Sequence, residues 1–173
     1  MEKLIVYGSQ YGTTKRYAEK FSEMTGVPCL SYENVKTLSG YGLVIHFGGL
    51  YAGGVKGLKA TVKALQENTK LIIVTVGLAD VTNEENTNNI KKSISRQVPD
   101  RIMKDTTIFN LRGGIDYQKL NFMHKTMMTL LYNKAKNLPE EKKDAETRAM
   151  IETFNKAVDF TDYNALKAIM DVL

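Results

Sequence analysis

The run KLIVYGSQYGTTKRYAEKF, residues 3–21, decides how the chain is read. Its first part, Leu4 to Tyr7, is continuously apolar and rich in β-branched residues, the composition of a strand covered on both faces. Its last part puts Tyr17, Ala18 and Phe21, and beyond them Met24, on one helical face. Between the two stand Ser9, Gln10, Tyr11, Gly12, Thr13 and Thr14. A strand that turns directly into a helix leaves the first N–H groups of that helix unpaired at the strand's carboxyl end. Gly12 lets the backbone approach a ligand closely, and the hydroxyls of Ser9, Thr13 and Thr14 add donors. The helix dipole contributes only about 0.3–1 kcal/mol to such a site, so converging hydrogen bonds would carry the affinity. The turn suits a phosphate held without a lysine; it equally suits a helix cap with no ligand.

Further apolar runs recur at about 28–32, at 43–48 (LVIHFG), at 71–76 (LIIVTV) and at 106–111 (TTIFNL). Helical patterns alternate with them. Val55, Leu58, Val62 and Leu65 share one face, and Ile90, Ile94 and Val98 another. Parallel neighbours need helical crossovers, so this alternation predicts an α/β fold, a doubly wound parallel sheet. Five strands fit the order 2-1-3-4-5, with ligands expected outside the strands' carboxyl ends beside the switch point. A single domain over residues 1–173 is expected.

After the fifth strand the rhythm breaks. Residues 112–162 show no strand pattern and at least one long helix, ahead of a closing helix near 163–172. That is too much chain for a simple connection, and it reads as a helical insert. Within 117–136, Lys119, Lys125, Lys134 and Lys136 accompany Leu120, Phe122, Met123, Met127, Met128, Leu130 and Leu131, with no acidic residue. Two readings stay open: a core-packing helix with solvated lysines, or a surface that meets a membrane or a hydrophobic, anionic substrate.

Composition narrows the classes. Apolar residues make up 43% and charged residues 25% of 173, which is globular rather than disordered. A single cysteine excludes a disulfide framework, and Cys29, in an apolar run, reads as a small strand residue. His46 and His124 lie far apart without carboxylates at ligand spacing, so no metal site is expected. Neither a signal sequence nor a membrane-spanning run is evident, and a cytoplasmic protein is expected. The net charge of +5 favours anionic partners. No basic–aromatic interleaving or reader motif points to nucleic acid.

Two more segments bear on the phosphate turn. GGLYAGGVKG (48–57) follows the third strand and GLADVTNEE (77–85) the fourth, both on the carboxyl edge. Each opens on glycine, and Tyr51 offers a ring for stacking. A phosphate cradle with two backbone-rich walls suits a phosphorylated planar cofactor. The spacing fails a P-loop, because Thr13 stands where the second glycine belongs, and Gly8 with Gly12 do not make a dinucleotide fingerprint. No paired carboxylates follow the first strand, as a receiver domain would need.

At this point the sequence resembles a family. SQYGTT (9–14) is similar to the flavodoxin phosphate loop, with Tyr11 departing at its third position. Together with FGGLYAGGVKG (47–57), TVGLAD (75–80), LRGGIDYQKLNFMHKTMM (111–128) and VDFTDYNAL (158–166), it resembles the flavodoxin-domain branch that includes menaquinone-dependent protoporphyrinogen oxidase. The resemblance implies a flavodoxin-like fold binding FMN non-covalently. Ser9, Gln10, Tyr11, Gly12, Thr13 and Thr14 would hold the phosphate. Gly49, Leu50, Tyr51, Ala52 and Gly53 would lie along one side of the ring, and Gly77, Leu78, Ala79 and Asp80 along the other. The insert from Asp116 onward is linked in that branch to substrate or membrane contact. The implied activity is oxidation of a reduced, porphyrinogen-like substrate with a quinone acceptor, with peripheral contact at the inner membrane face. Two alternatives remain: an electron carrier serving a redox partner protein, and a flavin-free module whose loops only cap helices. No side chain stands out as an acid or base.

Overall fold

A computed structural model describes residues 1–173. In chain order the elements are β1 (Glu2–Gly8), α1 (Thr13–Thr25), β2 (Cys29–Ser31), β3 (Tyr41–Tyr51), β4 (Gly54–Val55), α2 (Leu58–Ala64), β5 (Lys70–Gly77), α3 (Glu84–Ser95), α4 (Asp100–Met103), β6 (Thr107–Arg112), β7 (Gly114–Asp116), α5 (Phe122–Lys136), α6 (Ala145–Thr153), β8 (Ala157–Asp159) and α7 (Lys167–Met170). β2, β1, β3, β5 and β6 lie side by side, all parallel. This is the expected order; the numerals shift because β3 runs on to Tyr51 and folds back through the short antiparallel β4.

The apolar runs are strands because both faces are buried. Ile5, Ile45, Phe47, Ile72 and Val74 pack on Tyr17, Ala18 and Phe21 of α1 and on Leu166 and Ile169 of the closing segment. Leu4, Val6, Val44, Leu71 and Ile73 face the other way, onto Leu58 of α2 and Ile90 and Ile94 of α3. Each such side chain contributes about 1.5–3 kcal/mol of burial, enough to override the weak local preferences of three- to eleven-residue strands. Cys29 lies half-buried in β2, where burial raises its thiol to about 11, so it stays protonated at neutral pH.

The structure corrects the sequence reading at several points. Val55 belongs to β4 and Leu65 caps α2, so that predicted helical face keeps only Leu58 and Val62. The region 112–162 does contain strands: β7 and β8 pair antiparallel, Ile115 opposite Val158. At three residues each, they are too short to leave a period-2 signal. α5 starts at Phe122 rather than 117, because Asn121 accepts the N–H of His124 as a cap. The closing helix is a 3₁₀ turn, Tyr163–Leu166, followed by the short α7. The insert has a small core of its own, Ile115, Tyr117 and Met128, against which Tyr11, Leu78, Leu131, Met150 and Phe154 pack.

His46, fully buried in β3, ties β3 to the start of α2. Its Nε2 lies 2.9 Å from the Lys56 carbonyl oxygen and its Nδ1 2.9 Å from Thr61 Oγ1. A carbonyl only accepts, so Nε2 carries the proton and the Thr61 hydroxyl donates to Nδ1. Burial lowers this imidazole to about 4. The unfolded chain takes up its proton near the ordinary histidine value of roughly 6.5, so between there and about 4 the unfolded state binds more protons. The stability contributed by neutral His46 is therefore complete above roughly pH 6.5 and is lost as pH falls through that window. Urea midpoints measured from pH 7 down to pH 4 will fall accordingly, and the fall will be shallower in His46→Gln.

Candidate functional site at the carboxyl edge

Because the sheet is parallel, the segments after β1, β3 and β5 emerge on one edge. There they line a cavity of about 560 Å³, within the range of small-molecule pockets. Ser9, Gln10, Tyr11, Thr13, Thr14, Gly49, Leu50, Tyr51, Ala52, Gly53, Gly77 and Leu78 all face it. Gly12, Ala79 and Asp80 do not. Gly12 shapes the turn instead: its backbone is left-handed at φ 96°, and its N–H donates to Ser9 Oγ at 3.0 Å. Asp80 points to solvent, where its carboxylate accepts from the N–H and hydroxyl of Thr82, each at 2.8 Å; these bonds lower its pKa.

The backbone N–H groups of Gln10, Tyr11, Thr13 and Thr14 find no partner within the protein. Thr14 is buried, yet its hydroxyl makes no hydrogen bond and faces the cavity. A Cβ on Gly49 would lie 3.0 Å from Thr14 Oγ1, so the missing side chain keeps that oxygen accessible. The Thr13 hydroxyl, expected among the free donors, is committed: it donates to the Gly114 carbonyl at 3.0 Å and ties α1 to β7. The 48–57 segment is less a loop than a hairpin, with Ala52 and Gly53 at positive φ (49° and 77°), as a tight primed turn requires.

The insert roofs the cavity. Met128, Leu131, Ala135, Glu146, Thr147 and Met150 of α5 and α6 form the wall facing the three segments. The roof is attached to the floor: Tyr11 OH donates to Met128 Sδ at 2.8 Å and Tyr51 OH to Met127 Sδ at 2.7 Å. His124 packs edge-on to Tyr11, with ring centroids 5.6 Å apart, and meets the Gln10 amide at 3.4 Å; Lys56 Nζ donates to Gln10 Oε1. Burial, and next the neighbouring Tyr51, push the Tyr11 phenol well above its ordinary value, so it serves as a neutral donor.

One residue has no counterpart in the sequence reading. Glu146 Oε1 accepts the Leu78 N–H at 2.8 Å and Oε2 the Ala79 N–H at 3.0 Å. Burial pushes this carboxyl above its usual range, against the lowering effect of the two bonds. Nothing in DAETRAM marks it, because its partners lie 68 and 67 residues earlier. Arg112, which no local pattern marks either, donates from Nε to the Leu78 carbonyl at 2.8 Å and lays its guanidinium 3.7 Å over Phe160.

A family model described as the flavodoxin domain matches residues 4–144. The chain belongs to the flavodoxin-domain family. No curated protein matches it. Among solved structures it is similar to a candidate flavoprotein from Bacteroides eggerthii DSM 20697, at 12% identity and TM-score 0.44, covering 63% of this chain and 85% of that one. It is also similar to a flavoprotein in complex with FMN from Lactobacillus acidophilus NCFM, at 13% identity and TM-score 0.43, covering 64% and 91%. The matched stretch of this flavodoxin domain takes in all three edge segments and α5, and ends at Asp144, the cap of α6.

The two adjacent threonines separate by what their hydroxyls touch. Thr13→Ala will lower stability by about 1 kcal/mol, the usual loss for one buried hydrogen bond, whereas Thr14→Ala will leave the urea midpoint close to that of the wild type. Equilibrium unfolding of the two variants measures the difference.

Proposed function

We propose that this flavodoxin domain binds FMN non-covalently at the carboxyl edge and works as an oxidoreductase on a small reduced substrate. The observation that carries the reading is the set of partnerless N–H groups on Gln10, Tyr11, Thr13 and Thr14, with the free Thr14 hydroxyl, at one end of a roofed cavity. Those donors fit a phosphate dianion, and the glycine-lined walls beyond them fit a flat ring. FMN, when bound, supplies the redox chemistry. The protein's own part is to anchor the phosphate through 9–14 and to admit the ring past Gly49 and Gly77. Met128, Leu131 and Met150 exclude water.

Substrate and acceptor follow from charge and exposure. Lys92, Arg96 and Lys134 stand at the cavity rim without acidic partners, which favours an anionic, porphyrinogen-like substrate. On α5, Phe122, Met123 and Leu130 are 86%, 68% and 66% exposed beside Lys119 and Lys125. That combination supports peripheral contact with an anionic membrane and a quinone drawn from it. No helix is long and apolar enough to cross a membrane. The same exposed patch also favours a second reading, an electron carrier that docks a redox partner protein through α5.

Titration of FMN into the apo-protein, followed by flavin fluorescence quenching, tests the cofactor. Wild type will quench at a defined stoichiometry, and Thr14→Ala will bind roughly tenfold more weakly, the equivalent of one hydrogen bond to a charged group. Equal affinity would remove the 9–14 turn from the reading. Turnover of a porphyrinogen with a quinone then separates enzyme from carrier; absence of turnover with a range of such pairs favours the carrier.

A further inference from the structure

The backbone beyond β5 presents two successive N–H groups, Leu78 and Ala79, off the end of the parallel ladder. Such donors need a partner when buried. Here a single carboxylate supplies both acceptors, reaching across from α6. Those two N–H groups are its hydrogen-bond partners; Arg112, the nearby cation, is turned to the Leu78 carbonyl and the Phe160 ring instead. The carboxylate also sits directly over Gly77. A Cβ there would meet Glu146 Oε2 at 2.9 Å and Leu50 Cδ1 at 2.7 Å. Leu50 and Glu146 thus close on the spot between the β3–β4 hairpin and the 77–80 segment, where a planar ring would enter. At the other end of the same cavity the N–H groups of Gln10, Tyr11, Thr13 and Thr14 have no partner in the protein.

We infer that Glu146 is a built-in competitor for the ring edge of the ligand. Its two oxygens hold the Leu78 and Ala79 N–H groups in the position that the ring carbonyls of a planar imide-bearing heterocycle take when that ligand displaces it. This rests on the flavin reading of the site. α6 is suited to yield: it is nine residues long and buries only Ala149 and Thr153, so moving it costs little of either sheet core. The competition makes the site selective. A ligand without paired ring acceptors cannot replace the carboxylate, and leaving two buried N–H groups unpaired would penalise its binding.

The test compares wild type, Glu146→Ala and Glu146→Gln as full chains, titrated with FMN and with riboflavin, which has the ring edge and no phosphate. Glu146→Ala will bind both flavins at least about tenfold more tightly than wild type, with Glu146→Gln in between, because one good acceptor remains. Amide hydrogen exchange supplies a second readout: Leu78 and Ala79 will be protected in wild type, exposed in Glu146→Ala, and protected again when riboflavin is added. Weaker or unchanged flavin binding in Glu146→Ala overturns the assignment, since it means that the carboxylate holds the ring or merely buttresses the loop. Should Glu146→Ala fail to fold by circular dichroism, Glu146→Gln carries the same comparison. If wild type binds flavin and the variants gain nothing, the competitor role alone falls; if no protein binds either flavin, the cofactor reading falls with it.

Discussion

Burial of both faces of β1, β3 and β5 is the constraint from which the rest follows. Leu4 and Ile5, Val44 and Ile45, and Ile72 and Ile73 point alternately into two cores, each closed by helices. The strands run the same way, so each connection between them is a crossover, and the crossover helices cover both faces of the sheet. All carboxyl ends then share one edge, and three segments far apart in sequence face one another there. The convergence of 9–14, 49–53 and 77–80 is thus a consequence of core packing, with chemistry added by the residues at the strand ends.

That edge is unequal along its length. At the 9–14 end the N–H groups of Gln10, Tyr11, Thr13 and Thr14 have no partner in the protein, those of the two threonines because a helix's first N–H groups have none in their own helix. At the β5 end the donors are already satisfied by Glu146. The difference lies in the insert: its Glu146 carboxylate meets the N–H groups at the β5 end, while its contacts with Gln10, Tyr11 and Thr13 leave the backbone N–H groups there without partners. Its attachment is distributed: Thr13 to Gly114, Tyr11 and Tyr51 to the methionine sulfurs, Gln10 beside His124, and Glu146 to the β5 loop. None of these contacts is strong alone, and the exposed Arg16–Asp159 ion pair at 3.2 Å adds little in water. Together they make the roof an extension of the floor.

The basic, methionine-rich character of α5 now divides by face. Met128 and Ala135 are buried, and Met128 joins the insert's small core. Phe122, Met123 and Leu130 stand in solvent among lysines. The packing reading therefore holds for one stripe of the helix, while the other stripe stands exposed. Tyr117, beside Met128, has a buried hydroxyl with no hydrogen-bond partner, a cost the insert carries for which we have no physical account.

How much was legible depends on how far apart the interacting residues lie. The long strands declare themselves in runs such as LVIHFG and LIIVTV, since two-sided burial leaves no polar residue to confuse the period. The 9–14 turn declares itself because a strand, a hydroxyl-rich glycine turn and a helix are contiguous. The two-stranded pairing of 114–116 with 157–159 was invisible, three residues being too few to show alternation. The extension of β3 to Tyr51 was hidden by its glycines, which read as loop until paired with Val55. The sequence by itself therefore determined the sheet, its order and the three segments at its edge, because each depends on neighbours along the chain and on the rule that strands alternating with helices pair in parallel through crossovers. Only the tertiary structure decided which donors at that edge are free. That depends on a carboxylate carried by an insert helix, and its reach across the cavity is set by packing rather than by any local pattern.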